Sequence, residues 1–198
     1  MFSKIKGNGG FIGRVEINQF GAAFLGVTLS IVTVSLNDWL FLAASVGAVI
    51  FYLSLLYTAF WDFAAKEAIR IEGGRSTYQP LAGLGLSLVA NIPNILLGLV
   101  IFVLSFFAEK TEVGGVLVAN TPGAIYDVVK VIAQVWEAMY WGILYIVHYP
   151  ALLYLVIVLP ALAVSALGYY AGLKNFKLLE YLHLSSGDKN KKRPETKI

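Results

Sequence analysis

The chain contains no cysteine. That single absence excludes disulfides, thiol catalysis, thiolate-ligated metal and palmitoylation, and it leaves the redox compartment unassigned. Histidine is scarce as well: only His148 and His183 occur. Two imidazoles, no thiols and no paired carboxylates within the apolar stretches make no metal-ligand set and no nucleophile–base pair. Ser165 with His148 is the pairing an intramembrane serine protease would need, and no motif joins them. The inventory points away from an enzyme and implies no cofactor. Charge is thin too: Asp, Glu, Lys and Arg make up 14 % of the residues, where soluble domains carry about 25 %.

Apolar residues fill the space. They make up 58 % of the 198 residues, and the mean hydropathy is +0.73. Such values describe helices in lipid. The fold class expected is an all-α membrane protein, a bundle of four transmembrane helices plus one amphipathic or re-entrant helix. Residues 1–184 form this polytopic domain, and 185–198 form a basic polar tail too poor in apolar surface to fold alone. The spans fall at about 20–36, 39–61, 81–107 and 151–170, and the amphipathic helix at 124–147. Lys4, Lys6 and Arg14 precede the first apolar run as in a signal peptide, but the 17 residues Phe20–Leu36 read as a span. Phe2, Ile5, Phe11, Ile12 and Val15 are expected to lay the segment before it on the headgroups.

The other elements are organised around Leu81–Phe107, 27 residues without a charge. As a helix it measures about 40 Å against a hydrocarbon core of about 30 Å. Pro93 near its middle has no N–H and crowds the carbonyl four residues back, so a kink or break is expected there. Asn91 and Asn94 flank that point, where lipid offers no hydrogen-bond partner. Before it, the second span runs on through Asp62, Lys66, Glu67 and Arg70 to a stop at Gly73-Gly74. After it, Gly114-Gly115 and Thr121-Pro122-Gly123 read as turns, with Thr121 as the cap of the next helix.

Topology follows from the basic residues. Seven of the fifteen Lys/Arg residues lie after Tyr170, and beside a span such a tail marks the cytoplasmic side more simply than it marks nucleic acid. With the N-terminus also cytoplasmic, the loop with Lys66, Arg70 and Arg75 is inside and the one around Lys110 outside. An odd number of crossings must then follow Lys110, so 124–147 does not fully span. The location expected is the cell (plasma) membrane, with both termini cytoplasmic.

Three sets of residues are candidates for function. Asn91, Pro93 and Asn94 form a polar intramembrane site, either a solute or ion site at an interrupted helix or a kink whose amides bond neighbouring helices. The small residues Ala22 and Gly26, Ala43 and Gly47, and Gly168 and Gly172 allow close helix approach. Asp127, Lys130, Gln134 and Glu137, spaced by three, four and three, share one face of a helix and form an interfacial stripe, either lining a vestibule or binding a partner, or simply facing water. The turn Gly73–Thr77 matches no phosphate-binding fingerprint, and a solvated helix end describes its neighbourhood of three acids and three bases better.

Trp61-Asp62-Phe63, Gly73-Gly74-Arg75, the run Gly83–Pro93 and Gly168-Tyr169-Tyr170-Ala171-Gly172-Leu173-Lys174 resemble small uncharacterised multi-pass membrane proteins of Gram-positive bacteria. The resemblance implies the architecture, a polar turn leading into a glycine-rich helix that ends in Ile-Pro, and brings no activity or catalytic residue. The partners expected are the lipid bilayer and another membrane protein or a second copy, with no nucleic acid. An accessory or assembly subunit is the first functional expectation, and a small transporter or channel subunit the alternative.

Overall fold

A computed structural model describes residues 7–113 and 116–176. The tail 185–198, His183 and Lys4 and Lys6 lie outside them. The described chain is predominantly helical. Its order is α1 (Gly9–Thr33), α2 (Asp38–Glu72), α3 (Ala82–Ala90), α4 (Ile92–Leu104), strands β1 (Lys110–Val113) and β2 (Val116–Ala119), α5 (Thr121–Trp136), a 3-10 turn (Ala138–Tyr140), α6 (Trp141–Ile146), α7 (Leu153–Val156) and α8 (Val158–Leu173). Three helical stretches are long and apolar enough to cross a membrane: α1, α2 and Leu153–Leu173. The pair α3–α4, bent by 57°, makes a fourth if it is one span.

α1 begins at Gly9, eleven residues before the expected span. The reason is packing: Phe11 meets Phe60 edge-on at 5.0 Å and stacks on Phe63 at 4.3 Å, and Val15 is buried. Phe11 and Val15 therefore join the bundle, while Phe2 and Ile5 lie outside the described residues. Asn37 caps α2 by accepting from the Trp39 N–H at 2.8 Å. Gly74, at φ 68°, turns the chain in the left-handed region just past the helix end.

α1 runs antiparallel to α2. α8 runs parallel to α2: a Cβ on Gly168 would sit 2.7 Å from the Tyr57 carbonyl oxygen, and one on Gly172 would collide with that of Trp61, one turn further along both helices. At the same end Gly83 of α3 lies under the Tyr169 ring. The starts of α1 and α3 and the ends of α2 and α8 therefore share one end of the bundle.

The two proline-bearing helices both break. The first break falls at Asn91 and not at Pro93, because Pro93 then occupies the first turn of α4, where no N–H is needed. Pro160 likewise sits in the first turn of α8, and the break falls at Ile157. Between β1 and β2 lies an antiparallel ladder pairing Lys110 with Ala119 through to Val113 with Val116. Asn120, and not Thr121, caps α5: its Oδ1 accepts from the N–H groups of Gly123 (2.7 Å) and Glu109 (3.1 Å), and its Nδ2 donates to the Phe107 carbonyl (2.9 Å).

Much of the surface is apolar, including Phe20, Phe24, Ile50, Leu96, Val131 and Leu159. A surface of this kind suits lipid, where burying polar groups inside costs less than exposing them.

Candidate functional site

The broken helix supplies the centre. Asn91 ends α3 with its Nδ2 turned back to the Ser87 carbonyl at 2.9 Å. Asn94, one turn into α4, donates from Nδ2 to Asn91 Oδ1 (2.9 Å) and Gln19 Oε1 (3.0 Å). Its Oδ1 accepts from Gln19 Nε2 and from the Trp136 indole N–H, each at 2.6 Å. The Tyr52 hydroxyl reaches Gln19 Oε1 at 3.3 Å. Residues of α1, α2, α3, α4 and α5 thus meet in one buried network, and each amide of Asn94 and Gln19 has a partner in a place where an unpaired one is costly.

Beside this network lies a cavity of about 10 Å³ lined by Tyr52, Asn91, Asn94, Glu137, Met139, Tyr140, Ile157, Val158 and Ala161. Glu137 is 2 % exposed, and its Oε2 has no hydrogen-bond partner; nor does the buried hydroxyl of Tyr140. Neither ion pair found among the described residues, Arg70 with Glu67 (3.6 Å) and Lys110 with Asp127 (2.9 Å), involves Glu137.

The stripe containing Glu137 faces the opposite way from a water-facing helix. Val128, Val131 and Val135 of α5 are 61, 58 and 54 % exposed, while the polar side runs from a half-exposed Asp127 to a buried Glu137. Asp127 pairs with Lys110, the Lys130 ammonium lies 5.4 and 5.3 Å from the ring centroids of Tyr126 and Tyr149, Gln134 is half-buried, and Glu137 is buried. The physical reason is the solvent: against lipid an amphipathic helix shows its apolar side outward. After Glu137 the chain reverses. A Cβ on Gly142 of α6 would come within 2.5 Å of the Phe41 carbonyl oxygen at the start of α2, and Tyr149 returns to Lys130.

The small residues divide. Ala22 is buried and Gly26 lies against the backbone of Ala138 and Met139. Gly168 and Gly172 close the α2–α8 contact inside the chain, so they are not open to a partner. Ala43 and Gly47 are exposed, with nothing within 4 Å of a Cβ on Gly47. Between α1, α4 and α5 an apolar groove of about 970 Å³ opens sideways, lined among others by Phe20, Phe24, Leu96, Val100, Val131 and Trp136. Near the shared helix ends, the buried Glu67 accepts from the Ser76 hydroxyl and pairs with Arg70, which ties the Gly73–Thr77 turn to α2. His148 is exposed in a turn while Ser165 is buried in α8.

Gln19, Tyr52, Trp136 and Tyr140 are the members of the site that the pattern of the sequence alone did not single out. The signal for Gln19 was its spacing: Val15, Gln19, Ala22, Gly26 and Ser30 recur at helical intervals and are all buried. Compared with protein-family models, curated proteins and solved structures, the chain matches none.

Proposed function

We propose that this chain is a non-enzymatic integral membrane protein, an accessory or assembly subunit that works through contacts with another membrane polypeptide. The observation that carries the reading is the lateral groove between α1, α4 and α5, apolar along its lining and wide enough for side chains of a neighbouring helix. The outward Ala43–Gly47 face on α2 offers close backbone approach as well.

The topology proposed is four crossings, with α5 and α6 as a re-entrant pair that enters to the depth of Asn94 and returns. The end shared by the starts of α1 and α3 carries Lys66, Arg70, Arg75 and Lys174 and leads into the basic tail, which supports a cytoplasmic placement for both termini in the cell membrane. The resemblance to small bacterial multi-pass proteins accords with this arrangement and adds no activity.

The test is photo-crosslinking in the native membrane from a reactive residue placed at Leu96 or Val131. The reading expects a discrete adduct with one second polypeptide, absent when the same residue is placed at Leu159. Adducts with lipid alone would sink it.

A second reading, a small transporter or channel subunit, is favoured by one observation: a buried acid, Glu137, lies beside the interrupted helix, the combination that coupled transporters use. Reconstituted vesicles would then show solute flux that Asn94→Leu abolishes while the protein stays folded. Equal flux in both would remove it.

A further inference from the structure

We propose that the cavity between Glu137, Tyr140, Tyr52, Asn91 and Asn94 binds one monovalent cation of sodium size. Charge is the first argument. The lining contains one carboxyl and no lysine or arginine, and the base nearest along α5, Lys130, is held by Tyr126 and Tyr149. An ionised carboxylate without a counter-charge costs several kcal/mol in such a place. One negative group balances one positive charge, whereas a divalent ion would leave a buried excess. No group of three His, Cys, Asp or Glu side chains suited to such an ion exists among the described residues.

Size and ligand type agree with this. About 10 Å³ admits a single water-sized occupant and no organic solute. Five of the nine lining residues, Tyr52, Asn91, Asn94, Glu137 and Tyr140, carry a side-chain oxygen, the ligand that hard cations take, and the other four are apolar. Glu137 Oε2 and the Tyr140 hydroxyl are both buried and without a protein partner. Helix ends add to the field: Asn91 and Glu137, the residues that close α3 and α5, both line the cavity, so the negative ends of two helix dipoles lie beside it. α4 starts at the same break, but Pro93 removes one of its free N–H donors.

This inference is independent of which functional reading holds, because a bound ion stabilises a subunit as readily as it couples a transporter. The experiment uses the full chain in nanodiscs. Unfolding temperature and tryptophan fluorescence, to which Trp136 beside the site contributes, are followed while NaCl, KCl, LiCl or choline chloride is exchanged at constant ionic strength. The expected result is a saturable response to Na+ that choline does not give and that weakens as pH falls, because the proton competes for the same carboxylate. Glu137→Gln should weaken Na+ binding by at least about ten-fold, or about 1.4 kcal/mol. Tyr140→Phe, which keeps the ring, should weaken it several-fold and serves alone if Glu137→Gln does not fold. An identical response to all four salts means a protonated acid or a trapped water and overturns the proposal. So does a sodium response left unchanged by either substitution.

Discussion

Gln19 of α1 and Asn94 of α4 face each other amide to amide, each donating to the other, at 2.6 and 3.0 Å. The pair ties the first described helix to the break between α3 and α4, 75 residues away. Asn94→Leu would leave the Gln19 Nε2 group and the Trp136 N–H without their shared acceptor, although Tyr52 still donates to Gln19 Oε1. The expected loss is about 1–3 kcal/mol, the cost of buried groups left unpaired. The double substitution with Gln19→Leu should recover part of it, with a coupling of about 0.5–2 kcal/mol. Denaturation in mixed micelles measures both, and strictly additive effects would mean the amides act separately.

Gly172→Leu should destabilise the bundle by about 1–3 kcal/mol or more, because the new side chain meets the Trp61 carbonyl and Ala64, neither of which can move freely. Gly47→Leu, on open surface, should change intrinsic stability by less than about 0.5 kcal/mol. Comparing the two melting temperatures in the same detergent checks the distinction between internal and outward small-residue faces.

Asn120→Ala removes a side chain that joins the end of α4, the hairpin and the start of α5. A cap alone contributes about 1 kcal/mol, and the two further bonds raise the expected loss to about 2 kcal/mol. Amide exchange should accelerate at Glu109 and Gly123 first; exchange unchanged there would show that the clip carries no load.

The turn after α6 places His148 and Tyr149 at φ 61° and 54°. Left-handed backbone costs a residue with a Cβ about 1–2 kcal/mol. His148→Gly should therefore stabilise the protein, less the entropy glycine adds to the unfolded chain, for a net gain of up to about 1 kcal/mol. Tyr149 should not tolerate the same change, since its ring holds Lys130. Thermal unfolding of the two variants should move in opposite directions.

Because the chain has no cysteine, single cysteines report cleanly on the solvent each position meets. Val128→Cys and Val135→Cys, on the outward side of α5, should resist a charged maleimide in native membranes, while Lys110→Cys reacts. Rapid labelling at Val128 would place that side of α5 in water and reverse the orientation described above.

The membrane character was legible in composition, and so were the second helix through to Gly73-Gly74 and the interruption near Pro93. These depend on local chemistry: run length, a missing N–H, a glycine after a helix end. The start of α1 was missed because Gly9 to Gln19 is locally polar and glycine-rich, and only Phe60 and Phe63 make it a helix worth burying. The four-residue strands of the hairpin were missed because strands this short are held by their partner and by Asn120.

The stripe on α5 shows the limit most clearly. Its spacing declared an amphipathic helix, and spacing is symmetric with respect to solvent: the same pattern serves a helix showing its polar side to water or its apolar side to lipid. Sequence by itself determined that the polar residues lie together. Only the tertiary structure decided that the far end of the stripe, Glu137, points inward, because Tyr52, Asn91, Asn94 and Ile157 are brought beside it from separate places in the chain, and it is their packing that makes an inward polar face cheaper than an outward one.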